Sequence, residues 1–103
     1  MEITKMLTLS TVHITEETCE MLSMCASGKR ANYNLDGLVV YKKAEFGYFL
    51  YICKDSVDDP AKFGKTFPDD LRVVISLAMH CDCELLCLDQ DGPVMDFLES
   101  YDW

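Results

Sequence analysis

From Val73 to Trp103 the chain has no lysine and no arginine, while seven carboxylates fall in the same stretch. Up to Arg72 eleven acids face nine bases, so most of the formal net charge of -9 belongs to the last third. A surface of that sign repels polyanions and anionic lipid. It disfavours direct nucleic-acid binding and docking on an anionic membrane, so neither is expected, and it favours a basic protein partner. Also missing is an apolar run of membrane-spanning length. The start, Met1 to Thr8, is interrupted by Glu2 and Lys5 and does not read as a secretory signal. A cytoplasmic location is therefore expected, with the six cysteines kept as thiols. No glycine-rich phosphate loop follows a strand, no Ser/His/Asp arrangement stands out, and no basic patch interleaves with aromatics. These absences argue against an enzyme, and no cofactor is expected.

What is present suits one folded domain over residues 1–103: half of the residues are hydrophobic and 26% are charged. Met6 to Val12 alternates apolar and hydroxyl residues, as a strand does. Thr15 offers a hydroxyl to cap a helix, with Glu16 and Glu17 in its first turn. Thr18, Leu22 and Cys25 recur at helical spacing, joined by Cys19 and Ala26, until Gly28 ends the helix before a loop with Lys29, Arg30 and Asn32. Leu38 to Tyr41 and Tyr48 to Cys53 read as a hairpin across Lys42 to Gly47. Lys54 to Phe67, with Asp55, Asp58, Asp59 and Pro60, reads as the longest loop. Pro68 then opens a second helix whose apolar face is Leu71, Val74, Ile75 and Ala78, and Glu84 to Leu88 forms a last strand. The order β-α-β-β-α-β predicts an α+β domain of the ferredoxin-like, split βαβ kind, with one mainly antiparallel sheet and both helices on one face.

Two strands are apolar on both sides: Tyr48, Leu50 and Ile52 oppose Phe49, Tyr51 and Cys53, and Leu85 and Cys87 oppose Leu86 and Leu88. A sheet covered on one side only shows cleaner alternation. The C-terminal tail, with Val94, Met95, Phe97, Leu98, Tyr101 and Trp103, is expected to pack on the sheet or its edge. A second copy of the chain is the other cover, so a monomer or a homodimer is expected.

His80, Cys81 and Cys83 carry zinc-type ligand atoms, although structural zinc pairs space their cysteines more widely. Cys87 lies about 13 Å from Cys83 along a strand, too far to share an ion. In the expected topology His13 falls at the same end as Cys81, which makes His13, His80, Cys81 and Cys83 the candidate metal or thiol site. Asp82 and Glu84 raise rather than lower a neighbouring thiol pKa, which argues against nucleophilic catalysis there. Asp89 and Asp91 resemble the carboxylate pair with which haloacid-dehalogenase-type enzymes hold magnesium, but only twelve residues follow Asp91. An acidic turn before Gly92 and Pro93 accounts for them more simply.

Leu9, Ser10, Thr11, His13, Ile14 and Thr15 resemble the opening motif of an uncharacterised family of small acidic bacterial proteins, a domain of unknown function. The resemblance continues through Gly47, Tyr48, Phe49, Cys81 and Asp82, then Leu88, Asp89, Asp91, Gly92 and Pro93, and closes on Tyr101, Asp102 and Trp103. It implies an association with plasmids, phages and conjugative elements, and brings no catalytic residue. The cysteines beyond the family's pattern weaken a family-wide metal role. Together these readings predict a non-enzymatic accessory protein of a mobile element. It would bind a basic partner through Asp89, Asp91, Asp96, Tyr101, Asp102 and Trp103, since aromatics are favoured interface anchors. The alternatives are a nucleic-acid mimic that inhibits a host defence nuclease and the metal or thiol site.

Overall fold

A computed structural model of the chain describes residues 5–27, 37–43, 47–53 and 64–102. The first strand, β1 (Met6–Ser10), stops two residues earlier than its alternation suggests. The Ser10 hydroxyl accepts the Val12 N–H at 3.2 Å, and this cap draws Thr11–His13 into a turn of 3-10 helix. Helix α1 (Glu16–Ala26) follows, with the Thr15 hydroxyl accepting the Thr18 N–H. Thr18, Met21, Leu22 and Cys25 form its buried face. The hairpin forms as expected from β2 (Leu38–Lys43) and β3 (Gly47–Ile52), paired antiparallel. Helix α2 (Asp69–His80) buries the four apolar residues that its spacing predicts, and β4 (Leu85–Asp89) closes the sheet. Gly28 to Asn32, most of the long loop with its three aspartates, and Trp103 lie outside the described residues.

The domain is α+β, with two helices and a four-stranded mixed sheet among the described residues. Its strand order, β1-β4-β3-β2, departs from the ferredoxin-like one, in which β1 lies between β4 and β3. Here β4 is inserted between them, parallel to β1 and antiparallel to β3. The cause is where α2 begins. Strand β3 ends at the Leu85 end of the sheet, yet Asp70 at the start of α2 bonds Thr15 near the Ser10 end. The chain thus leaves β3 at one end of the sheet and enters α2 at the other. Helix α2 then brings it back, so β4 runs opposite to β3.

One sheet face carries Leu9, Leu86, Leu88, Tyr48, Leu50, Leu38 and Val40, all buried in one cluster with residues of α1, α2 and Phe67. Leu9, Leu22, Leu50, Leu71, Leu86 and Leu88 have no exposed surface, and each contributes about 2 kcal/mol of hydrophobic stabilisation. Asp70 ties the helix starts together. It is 9% exposed, and its carboxylate accepts the Thr15 N–H at 2.7 Å and the Thr18 hydroxyl at 3.0 Å. Gly47 lets β3 approach β4, because a Cβ there would lie 2.5 Å from the Leu88 carbonyl oxygen. No described helix is long and apolar enough to cross a membrane.

Candidate functional site

The tail after β4 has no regular structure, yet it is fixed at several points, and His13 is the centre of that attachment. Its imidazole, 2% exposed, accepts the Met95 N–H at Nε2 (3.0 Å). Because Nε2 accepts, Nδ1 carries the proton and donates to the Glu99 carbonyl at 2.8 Å. The Ser10 N–H donates to the Pro93 carbonyl and the Tyr101 N–H to the Val12 carbonyl. A Cβ on Gly92 would sit 2.6 Å from the Leu9 carbonyl oxygen, so glycine permits the tail to close on β1. Met95 and Leu98 pack against the core. The tail therefore lies along the β1 edge and the 3-10 turn. The expected packing on the edge is found, while the second sheet face stays uncovered by it.

With Met95 and Leu98 turned inward, Val94 and Phe97 face solvent, Phe97 with 71% of its surface accessible. On the same tail Asp91, Asp96, Glu99 and Asp102 are exposed. Asp89 differs from these: it is paired with Lys43, whose chain reaches from β2 across the side-chain-free Gly47. The Lys43 hydrogen bond, helped by the Asp91 N–H, holds the Asp89 carboxyl below the usual carboxylate range. The same bond holds the Lys43 ammonium above the ordinary lysine value. Tyr101 is half-buried, and burial followed by the charge of Glu99 pushes its phenol up. Of the predicted partner-binding residues, Asp91, Asp96 and Asp102 share the exposed tail, and Tyr101 helps to anchor it. Asp89 is engaged elsewhere, and Trp103 is outside the described residues.

The four metal candidates are not brought together. His80, Cys81 and Cys83 precede β4 and lie at its Leu85 end, whereas His13 follows β1 and lies at the Asp89 end, because these strands are parallel. Both His13 ring nitrogens already have backbone partners. Asp82 adopts a left-handed φ of 58°. The Asp82 N–H bonds the Met79 carbonyl and the Cys83 N–H the Ala78 carbonyl. These are the two bonds of a Schellman motif, so Cys81, Asp82 and Cys83 serve to terminate α2. Among the described residues no group of three or more His, Cys, Asp or Glu is arranged to hold a metal ion. None of the six cysteines is joined in a disulfide; Cys25 and Cys87 are buried and Cys81 is exposed. Burial pushes the Cys87 thiol up.

The sheet face away from the helices presents Met6, Leu85, Tyr51 and Val39 in one row across the strands, and Thr8, Cys87, Phe49 and Tyr41 in the next. A shallow hollow of about 610 Å³ opens there, lined by Val39, Tyr41, Phe49, Tyr51, Cys53 and Leu85. Tyr41 and Tyr51 meet edge to face with ring centroids 5.8 Å apart. Phe97 and His13 were the residues whose roles the sequence misassigned. The alternation of Val94 and Phe97 with Met95 and Leu98 is the signal for an outward aromatic.

Comparison with known proteins places this arrangement in a family. The domain model described as "Family of unknown function (DUF5983) C-terminal domain" matches residues 6–103. No curated protein and no solved structure matches the chain.

Proposed function

The chain belongs to DUF5983, a family of unknown function, and from that premise we propose that it is a non-enzymatic accessory protein of a mobile element that binds a basic protein through its C-terminal tail. The observation that carries this reading is Phe97, an aromatic side chain 71% exposed on a tail that His13 anchors. A fixed aromatic on a tail that also exposes Asp91, Asp96, Glu99 and Asp102 offers an apolar anchor together with acidic charge. Desolvated aromatics supply much of the energy in protein interfaces, and rim charges steer the partner and set specificity. Because the backbone around Phe97 is already held, little ordering is lost on binding. A sharper form of the reading is mimicry of nucleic acid, with the tail carboxylates standing in for phosphates in the basic groove of a host defence nuclease.

The test is native mass spectrometry of protein purified without chelator from its own host, comparing wild type with Phe97→Ala and with the triple variant Asp91→Asn, Asp96→Asn, Asp102→Asn. The reading expects a basic partner on the wild type that both variants lose, with attachment weakening as salt shortens the Debye length from about 10 Å to about 3 Å. Displacement of that partner by duplex DNA would select the mimic. A partner kept by both variants would overturn the tail as the binding surface, and a stoichiometric zinc increment would return the cysteines to consideration.

A further inference from the structure

We infer that the sheet face away from the helices, which no described element covers, is the contact surface of a homodimer in which two copies stack face to face about a twofold axis. Its apolar content is high for a solvent face: Met6 is 48% exposed, Val39 37%, Tyr41 55% and Tyr51 41%. The Tyr41 and Tyr51 rings brace each other at an interplanar angle of 88°, so one wall of the hollow is already rigid.

Charge selects the occupant. On the described strands this face carries only Lys43 and Asp89 as charged side chains, and these neutralise each other at one end. On a chain of net charge -9 it is a neutral patch. A basic partner finds no free carboxylate on the described strands of this face. A second copy brings an equally neutral, apolar face. It buries no unpaired charge, and the acids of both copies stay outside the contact.

The sheet edges direct the second copy to the face. Strand β2, an edge strand among the described residues, ends in Lys42 and Lys43, and edge lysines oppose strand-to-strand extension. At the other edge, the Ser10 N–H of β1 is taken by Pro93 of the tail. At about 200 Å² per large side chain, the four exposed residues offer roughly 400 Å² per copy. With the half-buried Phe49, Leu85 and Cys53, two copies together bury about 1,000 Å², the lower end for a specific interface. An interface of this size is of the weak, transient kind, so the dimer is reversible. It displays two tails at once, which raises the avidity for a partner with repeated sites. This inference stands on the sheet face and is independent of the tail reading.

Sedimentation velocity on the full chain, from about 1 μM to about 1 mM, spans the range in which such an interface dissociates. The wild type is expected to pass from monomer to dimer. Tyr51→Lys and, as a second variant at the other side of the face, Met6→Lys should dimerise at least about tenfold more weakly while keeping the wild-type circular dichroism spectrum. Phe97→Ala should dimerise like the wild type. A wild type that stays monomeric to the highest concentration would overturn the inference, as would a folded Tyr51→Lys variant of undiminished self-affinity. Loss of a captured foreign partner on Tyr51→Lys, in a protein that never dimerises, would assign the face to another chain and overturn it equally.

Discussion

Replacing His13 with alanine is the most informative perturbation of this molecule, because one side chain holds two tail segments that lie far from it in sequence. The substitution removes the acceptor of the Met95 N–H and the donor to the Glu99 carbonyl. Each such bond contributes about 1 kcal/mol net. The imidazole is 2% exposed, and the space it leaves adds about 1 kcal/mol where the surroundings do not close. The total is about 3 kcal/mol, enough to lower the thermal midpoint by about 10 °C or more in a domain of this size. The more specific readout is local. The Tyr101 N–H, which bonds the Val12 carbonyl, does not touch His13. If the imidazole pins the tail as a unit, hydrogen exchange of the Met95 and Tyr101 amides should accelerate together in His13→Ala and by more than the amides of β3 and β4, which lose protection only as far as global stability falls. A Tyr101 amide as protected as in the wild type, with the midpoint unchanged within about 2 °C, would refute the clamp.

Asp70→Ala should cost about 3 kcal/mol in urea denaturation, since it strips a charged acceptor from the Thr15 N–H and the Thr18 hydroxyl at a buried junction of the two helix starts; a change below about 1 kcal/mol would show that water replaces the carboxylate. For the Lys43–Asp89 pair the signs follow from the two shifts. The depressed Asp89 carboxyl contributes stability that is present above its unfolded value and is lost as pH falls through its folded one, and the raised Lys43 ammonium contributes stability that is present below its unfolded value and is lost as pH rises through its folded one. In an NMR titration Asp89 should therefore protonate below the ordinary carboxylate value of about 3.9, and Asp89→Asn should move Lys43 down toward ordinary lysine. An Asp89 titrating at or above that value would mean that the pair does not persist in solution.

Much of the local architecture was legible because the signals are local. Thr15 can cap only a helix that starts at Glu16, and Leu71, Val74, Ile75 and Ala78 share a face at any helical pitch. The hairpin was equally clear, its boundaries differing by one or two residues because Lys42, Lys43 and Gly47 continue the ladder without apolar side chains to mark it. His13 as a clamp was not legible. A histidine followed by Ile14 and Thr15 looks the same whether its nitrogens meet a metal or the backbone of residues more than eighty positions away. The error about Cys81 grew from topology: antiparallel β1 and β4 would have brought it beside His13, whereas parallel pairing separates them by a five-residue strand, about 17 Å.

The sequence by itself determined the α+β class, the two helices with their buried faces, the hairpin and the acidic bias of the last third, since each depends on periodicity, capping or composition within a short window. Only the tertiary structure decided the order of the strands, the ends of the sheet at which His13 and Cys81 lie, the docking of the tail on the β1 edge and the sheet face that no described element covers. Those depend on which distant backbone groups satisfy one another. A period of two tells a strand which side is apolar, but carries no information about its neighbour or its direction.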